Sequence, residues 1–257
     1  MDTVVSIEVV PGSGPPSCDV AVERAFAWFE AVERSCTRFD ESGEVIRLAR
    51  VPDRPVAVSP ILFEAVRFAL RVAARTGGAF DPTVGSTMAA RGFSRAYRTG
   101  RPVAPLPSAD GHASYRDVVV NEDDRTLTLR RPLVLDLGAV AKGLAIDLAA
   151  VALQDYASFL IEAGGDLFVR GANPQGQDWQ IAIQDPFHPQ AANLVVAVSD
   201  RAVCTSGGYA RRLKTPGEHH LLDPRTVRSP KALASVTAIA GSAMLADALS
   251  TAAFVLG

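Results

Sequence analysis

A carboxylate and a hydroxyl stand one helical turn apart near the end of the chain. Asp247 and Thr251 lie within Ser242–Leu256, an Ala- and Leu-rich segment whose pattern predicts a buried helix. A spacing of four residues places both oxygens on one helix face. Both residue types are mediocre helix formers, and such departures from local preference concentrate at functional sites. Because Mg²⁺ prefers hard oxygen ligands, we predict a metal site here rather than an exposed polar stripe.

A second candidate site follows the apolar stretch Leu133–Leu135. Asp136 and a glycine come next, and a helix is predicted to begin directly after them. Because a helix start presents free N–H groups and the positive end of the helix dipole, it favours phosphate. Lys142 adds a positive charge, and Asp136 could accept from a ring N–H or a sugar hydroxyl. The alternative, a plain strand-to-helix turn with a surface lysine, stays open.

Two further segments combine glycines with polar groups. Gly165 and Asp166 follow a predicted strand, and paired glycines let a backbone approach a ligand or another strand closely. Thr205 and Ser206 precede another glycine pair, with Arg211-Arg212 nearby, and this composition suits an oxyanion or a phosphate in a loop. An ordinary glycine turn is the alternative for each segment.

Adjacent histidines precede an Asp-Pro turn. His219 and His220 are followed by Asp223-Pro224, and imidazole titrates near neutral pH. One of them could therefore act as a general base. A structural or surface role is the alternative.

Both helices and strands are needed to position these residues. The predicted helices are Asp19–Cys36, Ser59–Gly77, Ala139–Leu153 and Ser242–Leu256. The predicted strands are Val4–Val10, Tyr115–Val120, Thr126–Arg130, Phe159–Glu162, Trp179–Gln184, Leu194–Val198 and Ser235–Ala240. Because helices and strands do not alternate regularly, we predict an α+β fold with mixed or antiparallel sheets. We expect one domain over residues 1–257, which can divide into closely associated lobes of about 1–112 and 113–257.

Composition excludes several classes of protein. The net charge of −2 gives no reason to expect nucleic acid as a partner, and no apolar run reaches the length of a membrane span. Cys18, Cys36 and Cys204 have neither zinc-site nor disulfide-framework spacing. The given sequence shows no signal peptide or lipoprotein site, so we expect a cytoplasmic protein.

Taken in order, six motifs resemble those of the ApbE family, the FAD:protein FMN transferases. They are Phe80–Gly85 (FDPTVG), Asp136–Asp147 (DLGAVAKGLAID), Gly164–Asp166 (GGD), Thr205–Tyr209 (TSGGY), His220–Thr226 (HLLDPRT) and Ala246–Thr251 (ADALST). One such string alone is weak evidence, whereas six in register are highly specific.

The resemblance implies an α+β enzyme that uses Mg²⁺, cleaves FAD and transfers FMN to a Thr or Ser hydroxyl of an acceptor protein, releasing AMP. It implies His220, Lys142 and Asp247 as catalytic residues. The implied metal ligands are Asp247, Thr251 and the carbonyl of Ala139, with Ser250 adjacent. From their own pattern or from the resemblance, the residues predicted to bind the cofactor are Met1, Ala79, Phe80, Asp81, Asp136, Lys142, Gly165, Asp166, Thr205, Ser206 and Leu222.

The sequence departs from the family pattern in places. Gly43 and Ala49 replace a Ser and an Asn, Val227 replaces a Gly, and Arg91-Gly92-Phe93 stands where a Trp is common. In the family the lost Asn lies near the flavin. Two alternatives therefore stay open beside transfer, namely hydrolysis of FAD to FMN and AMP, and FAD binding without catalysis.

Overall fold

The computed structural model describes residues 3–95, 100, 113–188, 192–209, 213 and 217–257. The helices are α1 Asp19–Cys36, α2 Glu44–Ala49, α3 Pro60–Arg75, α4 Gly85–Ala90, α5 Gly138–Ala152 and α6 Ala243–Leu256. The strands are β1 Val5–Val9, β2 Val56–Ala57, β3 Val118–Asn121, β4 Thr126–Leu129, β5 Phe159–Ala163, β6 Asp166–Arg170, β7 Trp179–Gln184, β8 Ala192–Val198, β9 Arg201–Gly207 and β10 Ser235–Ala240.

A five-stranded antiparallel sheet forms the frame of the fold. Its strand order is β1-β5-β6-β9-β10. Two smaller antiparallel sheets, β2-β4-β3 and β7-β8, accompany it. Strand β5 alternates buried and half-buried residues, as expected of a strand with one face on the core. The predicted α+β class with antiparallel sheets and packed helices is confirmed.

Helices α5 and α6 pack on each other, and α6 also packs on β9 and β10. Helix α5 additionally contacts α1, so most of its circumference is buried and its sequence is apolar nearly all round. The main core includes residues of both predicted lobes, from Ala25 of α1 to Ala252 of α6. The division into lobes stays a prediction.

Gly143 allows the two central helices to approach closely. A Cβ added at this position would lie 2.5 Å from the carbonyl of Ala243 and from Cα of Met244. Such contacts force the helices apart, because backbone atoms cannot rotate away as a side chain can.

We expect Gly143→Ala to destabilise the protein by roughly 1–3 kcal/mol through overpacking. In an unobstructed helix interior the same change is stabilising by about 1 kcal/mol. Urea unfolding followed by circular dichroism measures the difference. Gly241→Ala is the matched control, because its Cβ would meet no atom within 4 Å. A Gly143→Ala protein as stable as the wild type would contradict the close helix contact.

The structure corrects some sequence predictions. Thr205 and Ser206 lie within strand β9, not in a glycine loop. Strands β2, β6 and β9 and the short helices α2 and α4 were not predicted from the sequence. Met1 and the pair Arg211-Arg212 lie outside the described residues.

Among the described helices, none combines the length and the hydropathy that crossing a lipid bilayer requires.

Candidate active site

A lysine lies between two buried carboxylates in the middle of the fold. Lys142 on α5 forms an ion pair with Asp166 at the start of β6, and its Nζ lies 3.4 Å from Oδ2 of Asp247 on α6. Asp166 and Asp247 are only 3% and 6% exposed. Because isolated buried carboxylates are unfavourable, the ammonium of Lys142 stabilises both Asp166 and Asp247 in their buried positions. Three of the predicted site residues therefore meet at one point.

Hydroxyl groups continue this polar cluster along α6 and β9. Ser206 Oγ lies 2.8 Å from Ser250 Oγ and 3.1 Å from Thr251 Oγ1. On the same strand, the Thr205 N–H donates to Asp166 Oδ1 at 2.9 Å. We define the polar cluster as Lys142, Asp166, Thr205, Ser206, Asp247, Ser250 and Thr251. It joins α5, α6, β6 and β9.

The two candidate hydroxyl ligands on α6 differ in exposure. Ser250 is fully buried and donates to the backbone carbonyl of Asp247 at 3.0 Å. Thr251 is half-buried. Because the Ser250 hydroxyl already bonds to Ser206 and donates to the Asp247 carbonyl, Thr251 is the better candidate, and Ser250 supports the helix turn that carries Asp247.

Asp147 holds the start of α6 and was absent from the predicted site. Its carboxylate accepts from the N–H groups of Ala243 at 2.7 Å and Met244 at 3.0 Å. Free N–H groups at a helix start favour a negative charge. Burial raises the pKa of Asp147, and these two hydrogen bonds lower it in part. The signal in the sequence that could have revealed Asp147 was its place at the end of the Asp136–Asp147 motif, five residues after Lys142.

A second group of predicted residues lies around Asp136. The Asp136 N–H donates to the Pro82 carbonyl at 2.7 Å, which joins Asp136 to the Ala79–Asp81 segment. The Asp136 carboxylate accepts from Gly138 N at 3.0 Å and from Arg38 Nε at 2.8 Å. Arg38 is buried, and the sequence analysis missed it. These bonds fix the carboxylate at the start of α5.

The Ala79–Asp81 segment is itself buried. Asp81 accepts from the N–H and hydroxyl of Thr83 and from the N–H of Tyr115, at 2.7–2.9 Å. Burial raises the pKa of Asp81, and these bonds lower it in part. The described hydrogen bonds of the Asp81 carboxylate hold the local backbone in place. Ala79 and Phe80 are buried apolar residues beside it in sequence.

Gly164 and Gly165 form the turn between β5 and β6. Both have positive φ, and the Gly165 N–H donates to Glu162 Oε1 at 2.6 Å. This turn places Asp166 at the first position of β6. The glycines therefore have a structural reason, independent of any ligand.

We call residues 218–229, which include both His219 and His220, the histidine turn. His219 and Gly208 hold this turn in place. The buried His219 ring lies edge-on to Phe254 of α6, with ring centroids 5.5 Å apart, and Nε2 lies 3.0 Å from the Pro230 carbonyl. A Cβ at Gly208 would lie 2.7 Å from this ring, so the second glycine of the TSGGY motif makes room for it. His220 is half-buried, and Leu222 is buried beside it.

The sequence profile described as the ApbE family matches residues 1–257. The chain belongs to the ApbE family. A relative from Haemophilus influenzae named FAD:protein FMN transferase is 30% identical over 233 residues, 86% of this chain and 65% of that protein. One from Salmonella typhimurium with the same name is 35% identical over 217 residues, 79% of this chain and 61% of that protein. This ApbE-family chain thus spans less than two thirds of the length of these two relatives.

Solved ApbE structures have the same fold. The ApbE protein of Thermotoga maritima superposes with a TM-score of 0.86 at 30% identity, covering 99% of this chain and 84% of that one. The flavin transferase ApbE of Vibrio cholerae superposes with a TM-score of 0.84 at 26% identity, covering 100% and 84%.

Two departures from the ApbE pattern are buried or structural here. Ala49 is fully buried in the main core, so it presents no polar group to a flavin. Gly43 precedes α2 with extended backbone, and its carbonyl accepts the first hydrogen bond of that helix. Neither position in this ApbE-family chain therefore offers the polar side chain that the family pattern has there.

A third departure places strain in the histidine turn. Val227, where the ApbE family has glycine, has φ of +58°. A β-branched residue in this left-handed region is a true outlier, which persists only when its surroundings over-determine it.

The oxygens near Lys142 fit a divalent cation. Among the described residues, no three His, Cys, Asp or Glu side chains converge as a metal-binding group. Asp247, Thr251 and a backbone carbonyl need no such group, since Mg²⁺ binds few protein oxygens and retains waters or phosphate oxygens. Ala139, whose carbonyl is the implied third ligand, lies in the first turn of α5, three residues before Lys142. The ion pairs of Lys142 show that these carboxylates already accommodate a positive charge.

Proposed function

We propose that this chain transfers FMN from FAD to a Thr or Ser hydroxyl of an acceptor protein, with Mg²⁺, and releases AMP. One observation carries the proposal beyond family membership: Lys142 lies between Asp166 and Asp247, with Thr251 one turn further along α6. A cation and carboxylates placed together suit a pyrophosphate that binds with its own metal ion. The names of the relatives support the same substrate.

Asp247, Thr251 and the Ala139 carbonyl would hold Mg²⁺. The ion would supply charge neutralisation to the pyrophosphate as its negative charge grows. Ser250 and Ser206 keep the Thr251 hydroxyl in place through the hydrogen bonds described above. Lys142 remains paired with Asp166 and presents its ammonium to the phosphates.

His220 is proposed to take the proton from the acceptor hydroxyl. The freed oxygen attacks the phosphorus atom on the FMN side, the pyrophosphate P–O bond breaks, and AMP leaves with the bridging oxygen. Imidazole suits this role because its ordinary pKa lies near neutrality. His219 is held in the packing against Phe254 and Gly208, so it is the adjacent residue, His220, that we assign to the proton transfer.

The FAD contacts are proposed for two groups of residues. The polar cluster would face the phosphates, through Lys142, Asp166, Thr205 and Ser206. The flavin and sugar contacts would come from the remaining residues: Met1, Ala79, Phe80, Asp81, Asp136, Gly165 and Leu222.

Incubation with FAD, Mg²⁺ and the acceptor protein of a characterised relative tests the proposal. Intact-mass analysis is expected to show one FMN added to a Thr or Ser, with an equal amount of AMP released. FMN and AMP formed without an acceptor would show hydrolysis, with water in place of the hydroxyl. FAD retained unchanged with Mg²⁺ and acceptor present would overturn the catalytic proposal and favour a flavin-binding protein.

A further inference from the structure

Arg91 connects two segments that are far apart in sequence. It is the residue that ends α4, just after the Phe80–Gly85 motif, and its side chain is only 13% exposed. Helix α4 is anchored next to Asp136, because Gly85 N donates to the Val134 carbonyl at 3.0 Å. Arg91 thus begins from a fixed part of the fold.

The guanidinium of Arg91 contacts three residues of the histidine turn. Nη1 donates to the Val227 carbonyl at 2.8 Å, and Nη2 donates to Ser229 Oγ at 2.9 Å. Nη2 also forms a close ion pair with Glu218. A planar fork with several donors can hold all three acceptors, whereas a single ammonium cannot.

Ser229 passes this restraint to His219. Its hydroxyl donates to the His219 carbonyl at 2.8 Å and accepts from the His219 N–H at 2.9 Å. With the bond from Arg91, one donor and two acceptor positions of the hydroxyl are all used. Both backbone groups of the residue before His220 are therefore tied to the arginine through one atom.

The strained backbone at Val227 explains why the histidine turn needs the contacts of Arg91. The left-handed conformation of a Val is unfavourable and needs external support. The bond from Arg91 to the Val227 carbonyl supplies part of that support, together with the Val227 N–H bond to the Asp223 carbonyl at 2.8 Å. Both ends of the turn, at Glu218-His219 and at Val227–Ser229, are thereby held by one side chain.

We infer that Arg91 is a positioning residue that holds the turn carrying His220 in its working place relative to α6. The inference rests on the proposed function insofar as His220 acts on the acceptor hydroxyl. The restraint on the turn itself does not depend on that function.

Substitution by Met removes the fork and keeps most of the side-chain length. In Arg91→Met we expect kcat for FAD conversion to fall about 10- to 100-fold, because small misplacements of a reacting group have effects of this size. KM for FAD should stay within about twofold, since Arg91 contacts none of the proposed FAD ligands. Arg91→Lys, which keeps the charge, should recover only part of the rate. Arg71→Ala, at an exposed arginine, is the matched control.

Histidine ring NMR provides a measurement that needs no catalysis. The chain has four histidines, so ¹⁵N-labelled rings give few signals, which single His→Gln variants assign. Arg91→Met should shift or broaden the His219 and His220 signals and leave that of His188, on an exposed turn, unchanged. Ser229→Ala should have the same selective effect without removing a charge.

The outcomes separate the two proposals. Unchanged His219 and His220 signals in Arg91→Met, or an unchanged kcat, would overturn the positioning role. A raised KM at unchanged kcat would also overturn it, because Arg91 would then act on substrate binding. Wild-type protein without FAD turnover, combined with selective NMR shifts in Arg91→Met, would reject the proposed function and retain the restraint on the turn.

Discussion

Asp247→Asn is expected to lower FAD turnover by at least about 100-fold and to remove its dependence on Mg²⁺. The substitution keeps the side-chain shape but removes the charge that the proposed metal site needs. Even mutations of residues that only orient a metal ligand lower metal affinity or activity by about 10- to 100-fold. Lys142 keeps its ion pair with Asp166, so the one remaining carboxylate is still paired and the fold should persist. Product analysis by chromatography over a range of Mg²⁺ concentrations measures both effects.

Asp123→Asn is the matched control for this change. Asp123 is exposed in the turn between β3 and β4, and the same loss of charge there should leave turnover unchanged. Circular dichroism and thermal melting would confirm that both variants fold. Turnover and Mg²⁺ dependence that survive in Asp247→Asn would show that the metal is bound elsewhere.

Asp147→Ala is expected to reduce the free energy of unfolding by roughly 2–4 kcal/mol. The change leaves the N–H groups of Ala243 and Met244 without their acceptor, and each such buried group costs about 1–3 kcal/mol. Loss of an N-terminal helix cap has effects of similar size, about 0.5–2 kcal/mol. Urea unfolding followed by circular dichroism gives the value.

Asp147→Asn separates the role of the hydrogen bonds from that of the charge. The amide oxygen can still accept from one N–H group, so this variant should lose less stability than Asp147→Ala. Because α6 carries Asp247 and Thr251, turnover should fall in the same order as stability. Asp147→Ala unfolding at the wild-type urea concentration would mean that α6 is held by its apolar contacts alone.

Periodicity in the sequence was enough to find the long elements. Helices α1, α3, α5 and α6 appear close to their predicted bounds, because each carries a clear apolar pattern over many residues, and strand β7 does so because a two-residue alternation shows within six residues. The two-residue strand β2 and the six-residue helices α2 and α4 were missed, since so few residues show no period. Tertiary contacts decide such short pieces.

Strand β9 was missed for a different reason. Its last residues are the Thr-Ser-Gly run, whose composition is typical of a loop. The structure shows why these small residues lie in a strand. Ser206 must fit beside Ser250 and Thr251 of α6, and Gly208 just beyond the strand must admit the His219 ring. Neighbours from other elements, which local sequence does not reveal, set those identities.

Site residues that share one helix could be predicted from the sequence, whereas the contacts between residues on different elements could not. Pairing by spacing found Asp247 and Thr251 on one helix, since both belong to the same element. The ion pair of Lys142 with Asp247, the cap formed by Asp147 and the ion pair of Arg38 with Asp136 each join residues about 100 positions apart. No periodic pattern encodes such distant contacts.

The position of Lys142 bears on whether the protein stays folded before its ligands bind. Because its ammonium pairs with Asp166 and lies 3.4 Å from Asp247, both buried carboxylates already have a cationic partner when no nucleotide or metal ion is bound. Many metal sites instead couple folding to loading, and their empty forms unfold. Here we expect the chain to remain folded when neither a metal ion nor a nucleotide is bound, because Lys142 supplies the positive charge next to both carboxylates.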